Sequence, residues 1–264
     1  ALPVVGGWFG KETGNYETFI SMHPDIVIEG FTTDGGAASA TIAERQQKME
    51  PIPVVAVEDS TNSTGYSAPI RFVGDLLGEE EQAEAMIAFY EGVLATVAER
   101  AASIPDEERV GVYYAEGPRG LTTDPSGSSH SELIDLCGGR NIADCAITPG
   151  MGMTEVSMEQ VIAWDPDVIL VENPGFYAAV GTDPAWQEIT AVKTGRVYLT
   201  PRTAFCWFDR PPGINRIIGI PWTAKTLYPD LFQDMDLESL VREYHEIFLH
   251  VSLSDDQIHQ ILNL

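Results

Sequence analysis

Apolar positions along this chain follow two periods, and the switches between them mark alternating strands and helices. Short apolar runs bounded by turn residues fall at 26–29, 53–57, 109–114, 168–171 and 196–199, and each reads as a strand. Helical spacing covers 37–49, 184–192, 214–227, 237–248 and 254–264, the last opened by the capping sequence Ser254-Asp-Asp-Gln. The longest stripe lies over 79–103, where Ala83, Met86, Ile87, Tyr90, Leu94, Val97 and Ala98 recur three and four residues apart. At ~1.5 Å per residue that helix runs about 37 Å, enough to tie one lobe to another.

Part of the pattern is used twice. Asn15-Tyr-Glu-Thr-Phe-Ile-Ser-Met-His-Pro-Asp25 is echoed by Ser157-Met-Glu-Gln-Val-Ile-Ala-Trp-Asp-Pro-Asp167. Glu17 matches Glu159, Ile20 matches Ile162, and both copies end in Pro-Asp before an apolar strand. The strand–helix–strand spacing that follows is also nearly equal in the two halves, as parallel strands with crossover helices require. Two related α/β lobes are therefore expected, with ligand specificity in the loops where the copies stop matching, 32–36 and 173–177.

Composition narrows the partners. Forty acidic against fifteen basic residues give a net charge of −25, a field that repels nucleic acid and anionic membrane surfaces. No apolar run is long enough to span a bilayer, and the sequence does not open on a charged-then-apolar leader, so any signal peptide is expected to lie outside it. Cys137 and Cys145 flank Gly138-Gly139 and could be disulfide-bonded in an exported protein or remain free thiols. With Cys206 they make three and contain no Cys-x-x-Cys, which argues against structural zinc.

Two loops stand out for chemistry. Residues 116–130 follow a strand and end at a helix start near Ser131, where polar groups and backbone N–H groups at 127–129 suit an anion or a polar chelate. Residues 206–212, Cys-Trp-Phe-Asp-Arg-Pro-Pro, place Trp207 where it could stack on a ligand, with Phe208 either beside it or plugging the core. Arg119 and Arg202 could hold oxyanions, or form surface ion pairs. His245, His250 and His259 are not spaced to share one helix face, so a metal triad there is not expected. No catalytic motif is present, and the residues that stand out serve binding.

The chain resembles the substrate-binding proteins of ABC importers for siderophores, haem, cobalamin and related metal chelates. The similarity rests on the helix–Pro-Asp–strand phrase at 15–29, Ile52-Pro-Val-Val-Ala-Val57 and the helix after Gly78. It continues through Leu136-Cys-Gly-Gly-Arg-Asn-Ile-Ala143, Trp207-Phe-Asp-Arg-Pro-Pro, and Trp222 with Leu227-Tyr-Pro. The resemblance implies an α/β fold of two Rossmann-like lobes joined by one long helix, with a ligand cleft between them. Its parts would be an N-terminal lobe at 1–78, the linking helix at 79–104, a C-terminal lobe at 105–211 and C-terminal helices at 212–264. The start at Leu2-Pro-Val-Val looks like the family's second strand, with the first βα unit missing.

The implied function is an extracytoplasmic receptor, periplasmic or a cell-surface lipoprotein. It would bind an iron(III)-siderophore or similar metal chelate and deliver it to an ABC permease and ATPase complex. Cobalamin, haem, molybdate or a nickel chelate are alternative cargoes, and a two-lobed metallocluster enzyme is the alternative class. The chain is expected to be a monomer, not an enzyme, and to carry no cofactor beyond its cargo. Expected ligand residues are Thr32, Asp34, Tyr66, Arg119, Thr122, His130, Tyr177, Arg202 and Trp207, with Tyr66 or His130 able to reach metal. Glu44 and Asp209 resemble the carboxylates, one per lobe, that dock on the permease.

Overall fold

The computed structural model describes residues 4–7, 13–31, 36–58, 62–148 and 152–263. The chain divides into two compact units, residues 1–60 and 61–264. In the first, α1 (Tyr16–Ser21) leads to β1 (Val27–Phe31), α2 (Gly36–Lys48) and β2 (Val54–Glu58). Asn15 caps α1 by accepting from Thr18 N at 3.1 Å, satisfying one of the orphan N–H groups of a helix start. β1 and β2 are parallel, with Val27 opposite Val54, as the crossover spacing requires. Gln46 fastens α2 to β2 by donating to Val54 O at 3.0 Å, and Arg45 pairs with Glu29.

The second unit opens with α3 (Ser67–Leu77) and α4 (Glu80–Ala101), followed by β3 (Gly111–Ala115) and β4 (Thr122–Thr123). Next come α5 (Glu132–Leu136), β5 (Arg140–Asn141), β6 (Thr154–Glu155), α6 (Met158–Trp164) and β7 (Val168–Val171). α7 (Pro174–Val180), α8 (Thr190–Lys193), β8 (Val197–Leu199), β9 (Arg202–Thr203) and β10 (Phe205–Cys206) complete the α/β part. α9 (Asn215–Leu227), α10 (Leu237–Leu249) and α11 (Asp255–Leu262) close the chain.

The main sheet has the order β5-β3-β7-β8, all parallel. Its two faces feed two cores. Val112, Tyr114, Val168 and Leu170 pack with α4, α5 and α9, while Tyr113, Ala115, Ile169 and Val171 pack with Val161, Phe176 and Trp186. A strand buried on both faces reads as a continuous apolar run, which is why 168–171 was legible. α4 carries the expected stripe, burying Ala83, Ile87, Tyr90, Val93 and Val97, and packs against α3, α9 and α10.

The repeated phrase folds alike in both units: α1, Pro24-Asp25 and β1; then α6, Pro166-Asp167 and β7. In the second copy the chemistry of the corner is visible. Ser157 forms a capping box with Gln160, and Asp167 Oδ2 accepts from Gly111 N at 2.7 Å, fixing β7 beside β3. Two expectations change. The stretch after β7 is not an open loop, because Asn173 accepts from Gly175 N and Phe176 N and, with Pro174 in the first turn, starts α7 there. The helix expected over 184–192 is accordingly reduced to α8. Cys137, Cys145 and Cys206 are free thiols, the first and last buried. No helix among the described residues is long and apolar enough to cross a membrane.

Candidate functional site

Ligands of open parallel sheets gather at the carboxyl ends of the strands, and there the second unit concentrates its buried charge. β3 ends at Ala115 and delivers Glu116. The long loop beyond it delivers Asp124 and His130. The segment after β10 delivers Asp209 and Arg210, and the first turn of α9 delivers Arg216. Glu116, Asp124, Asp209 and Arg216 are fully buried, whereas the side chains of His130 and Arg210 keep 18% and 20% exposure.

Arg210 is the centre of this cluster. Its Nε donates to Glu116 Oε1 at 2.8 Å, its Nη2 donates to Asp124 Oδ2, and Asp209 Oδ2 lies 3.3 Å from Nε. Its backbone sits at φ 56°, a left-handed conformation that costs a non-glycine residue about 1 kcal/mol or more and persists where surroundings enforce it. Asp209 is shared: it accepts from Arg216 Nη2 at 2.7 Å and meets His130 Nδ1 at 2.9 Å. Arg216 also donates to Phe208 O and Ser129 O and faces Glu132 at 3.5 Å. Glu132 in turn accepts from Ser63 N at 2.8 Å, so the start of the second unit is pinned to the same network.

The electrostatics follow from burial. Desolvation, with Asp124 nearby, pushes the Glu116 carboxyl up to about 8 against the pull of Arg210. The acids around Arg210 outweigh its own burial and hold its guanidinium firmly in the charged form. Asp124, His130 and Asp209 are ligand types that could hold a cation, and their candidate atoms lie within 4.8 Å of one another. Arg210 already binds two of them and lies 3.5 Å from the third, so the cluster carries its own cation. What remains open to solvent is the edge formed by Arg210 and His130, which suits an anion better than a bare metal.

Among the described residues, His130 is thus the one expected ligand residue that the structure places in this cluster. Arg119 and Tyr177 are exposed, and Arg202 is exposed and paired with Glu172. Thr122 uses its hydroxyl locally, donating to Glu116 O at 2.7 Å. Trp207 is corrected: it is fully buried, its indole N–H donating to Thr203 Oγ1 at 2.8 Å, because the chain turns inward after β10 to meet α9. Phe208 is likewise core, 4.5 Å from the Tyr114 ring. Tyr66 is also corrected as a metal ligand. It is 3% exposed, and its hydroxyl lies against Ser63 and Arg216 without a hydrogen bond of good geometry.

Asp209 cannot be a docking acid in this conformation, since its carboxylate is enclosed by Arg216, Arg210 and His130. Glu44 is exposed on α2 beside Lys48. Thr32 and Asp34 lie outside the described residues. Of the N–H groups at 127–129 expected to cradle an anion, that of Ser128 is used within the loop, on Pro125 O.

Sequence reasoning singled out both contributing loops but not Glu116, Asp124, Arg210 or Arg216 as a set. The available signal was the acid-and-arginine content of 116–124 and 209–216, which does not say which charges meet.

Known proteins with this architecture give the cluster a context. The family described as "Periplasmic binding protein" matches residues 10–204. An ABC transporter solute-binding protein from Sulfurospirillum deleyianum superposes with a TM-score of 0.88 at 35% identity, covering 100% of this chain and 80% of that one. The molybdate-binding protein MolA of Haemophilus influenzae is 27% identical over 258 residues, 92% of this chain and 72% of that protein. The Fe(3+)-citrate-binding protein YfmC of Bacillus subtilis is 23% identical over 204 residues, 74% and 59% of the two chains. With the α/β architecture, the doubled helix–corner–strand unit and the family match over most of its length, this chain belongs to the periplasmic binding protein family.

Proposed function

We propose that the chain is the extracytoplasmic substrate-binding component of an ABC importer, and that its cargo is anionic: an oxyanion, or a metal chelate presenting carboxylate or other anionic oxygens. The observation that carries this is the Arg210–His130 edge, about one-fifth exposed to solvent and braced from behind by Glu116, Asp124 and Asp209. Buried carboxylates hold the guanidinium in place at the solvent edge, where its positive charge favours an anionic oxygen over a cation. Two relatives are named for molybdate and ferric citrate, both anions of this kind. Kinship with transport proteins supports binding rather than catalysis, with delivery to a membrane permease and its ATPase. In this reading 1–78 and 105–211 act as the two lobes and 79–104 as their linking helix, with Glu44 as the permease-facing acid of the first.

Calorimetry and thermal shift against molybdate, ferric citrate, ferric siderophores, haem and cobalamin test the cargo. A 100-fold excess of the true ligand over its Kd should add about 2.7 kcal/mol of stability. The same measurement on His130→Ala should show affinity for that ligand reduced at least tenfold. Stabilisation by none of these ligands, by cobalamin alone, or by a free divalent cation alone, would overturn the reading. Glu44→Ala should lower uptake in cells while leaving ligand affinity intact, and a parallel loss of affinity would remove its docking role.

A further inference from the structure

The charges at the site do not balance if every carboxylate is ionised. Glu116, Asp124 and Asp209 are three fully buried acids served by two guanidiniums, Arg210 and Arg216. Glu116 uses one oxygen on Arg210 Nε, while its Oε2 is buried with no hydrogen-bond partner and neighbours the Asp124 carboxylate. Two carboxylates facing each other away from water repel unless a proton lies between them.

Among the described residues, no other group facing Glu116 supplies the missing charge. Tyr113 and Tyr114 of β3 bring neutral phenols, kept protonated by burial. His130 is engaged by Asp209, Arg216 by Asp209 and Glu132, and Arg210 is divided among three acids. A neutral Glu116 removes the conflict: its carbonyl oxygen still accepts from Arg210, and its hydroxyl donates to Asp124. Of the buried acids, Asp124 and Asp209 then face Arg210 and Arg216, with the part-exposed Glu132 beyond Arg216, and an anion arriving at Arg210 meets less negative charge behind it.

We infer that Glu116 is the proton carrier of this site, and that an anion on the Arg210–His130 edge is bound together with a proton held between Glu116 and Asp124. The inference rests on the anion-receptor reading above and adds a co-ligand and a specificity-setting residue to it. Glu116 touches no ligand in this arrangement; it acts by positioning and charging Arg210. Burial holds its carboxyl at about 8, so the proton is already in place at neutral pH and must be captured with the anion at higher pH.

Molybdate is a suitable probe because it stays a dianion across the range. Calorimetry from pH 6.5 to 9.5 should show an affinity that is level up to about pH 8 and then falls about tenfold per pH unit. At pH 9, buffers of different ionisation heat should report about one proton taken up per anion. In Glu116→Gln, whose amide mimics the neutral acid, the affinity should no longer depend on pH, whatever its level at pH 7. Isotope-edited infrared spectra of glutamate-labelled protein without ligand should show a protonated carboxyl band at pH 7 that Glu116→Gln lacks. Absence of that band, a level profile in the unsubstituted protein, or an equally steep one in Glu116→Gln would each overturn the inference. If molybdate binds at no pH, the anion-receptor reading loses its first cargo, and the infrared band alone decides whether the site holds its proton.

Discussion

At the scale of single residues, the arrangement around Asp209 shows how burial decides what a charge does. The same carboxylate on the surface would be a weak partner for anything, because water screens it. Enclosed by Arg216, Arg210 and His130 it becomes a fixed part of the scaffold. Removing Arg216 while keeping Asp209 leaves a buried acid short of its closest cation, a situation that costs about 3–5 kcal/mol. Arg216→Met should therefore lower stability by that amount in urea unfolding at pH 7. The double variant Arg216→Met with Asp209→Asn should recover part of the loss, since the uncompensated charge is gone. An Arg216→Met protein as stable as the parent would show that Arg210 alone suffices for Asp209.

At the scale of elements, the site depends on how closely α9 approaches the segment after β10. Gly219, in the middle of α9, lies so near the Trp207 carbonyl that an added Cβ would come within 2.0 Å of its oxygen. Any side chain there must push α9 away from the turn that carries Trp207, Phe208 and Asp209. Gly219→Ala should thus cost about 2 kcal/mol or more despite the better helix propensity of alanine, because a backbone atom cannot step aside. Gly181→Ala is the matched control, with nothing within 4 Å of its added Cβ and a φ of −67°, and should be neutral. Thermal unfolding of the two variants distinguishes close packing from a general effect of removing glycine. Both expected strand pairs formed where local spacing predicted them, Val27 opposite Val54 and Ile169 opposite Val197, because crossover length constrains parallel partners tightly. α7 was missed because its start signal is a short Asn-Pro cap in a stretch otherwise rich in turn residues.

At the scale of the whole molecule, a chain of net charge −25 that takes up an anion works against its own field. The attraction of the Arg210–His130 edge is short-ranged, whereas the repulsion of the surplus acids extends roughly a Debye length, about 30 Å at 10 mM salt and about 8 Å at 150 mM. Raising ionic strength should screen the repulsion first, so molybdate should associate faster at 150 mM sodium chloride than at 10 mM. Stopped-flow measurement of the association rate checks this, and a rate that falls with salt would mean that a cationic surface steers the ligand. The same surplus disfavours nucleic acid and anionic lipid as partners.

The sequence by itself determined the pattern of elements, the doubled helix–corner–strand unit, the long α4 stripe and membership of a binding-protein family. Those are written in local periodicity and in corner residues such as Pro166 and Asp167, which act on their near neighbours. It also picked out the two loops that build the site, through their length and polarity. Only the tertiary structure decided that Trp207 is core, that Asp209 is an internal anchor, and that Glu116, Asp124 and Arg210 meet. The physical reason is that desolvation and ion pairing are properties of a place, and that place is made by strand β3, a long loop and the start of α9 arriving together from distant parts of the chain.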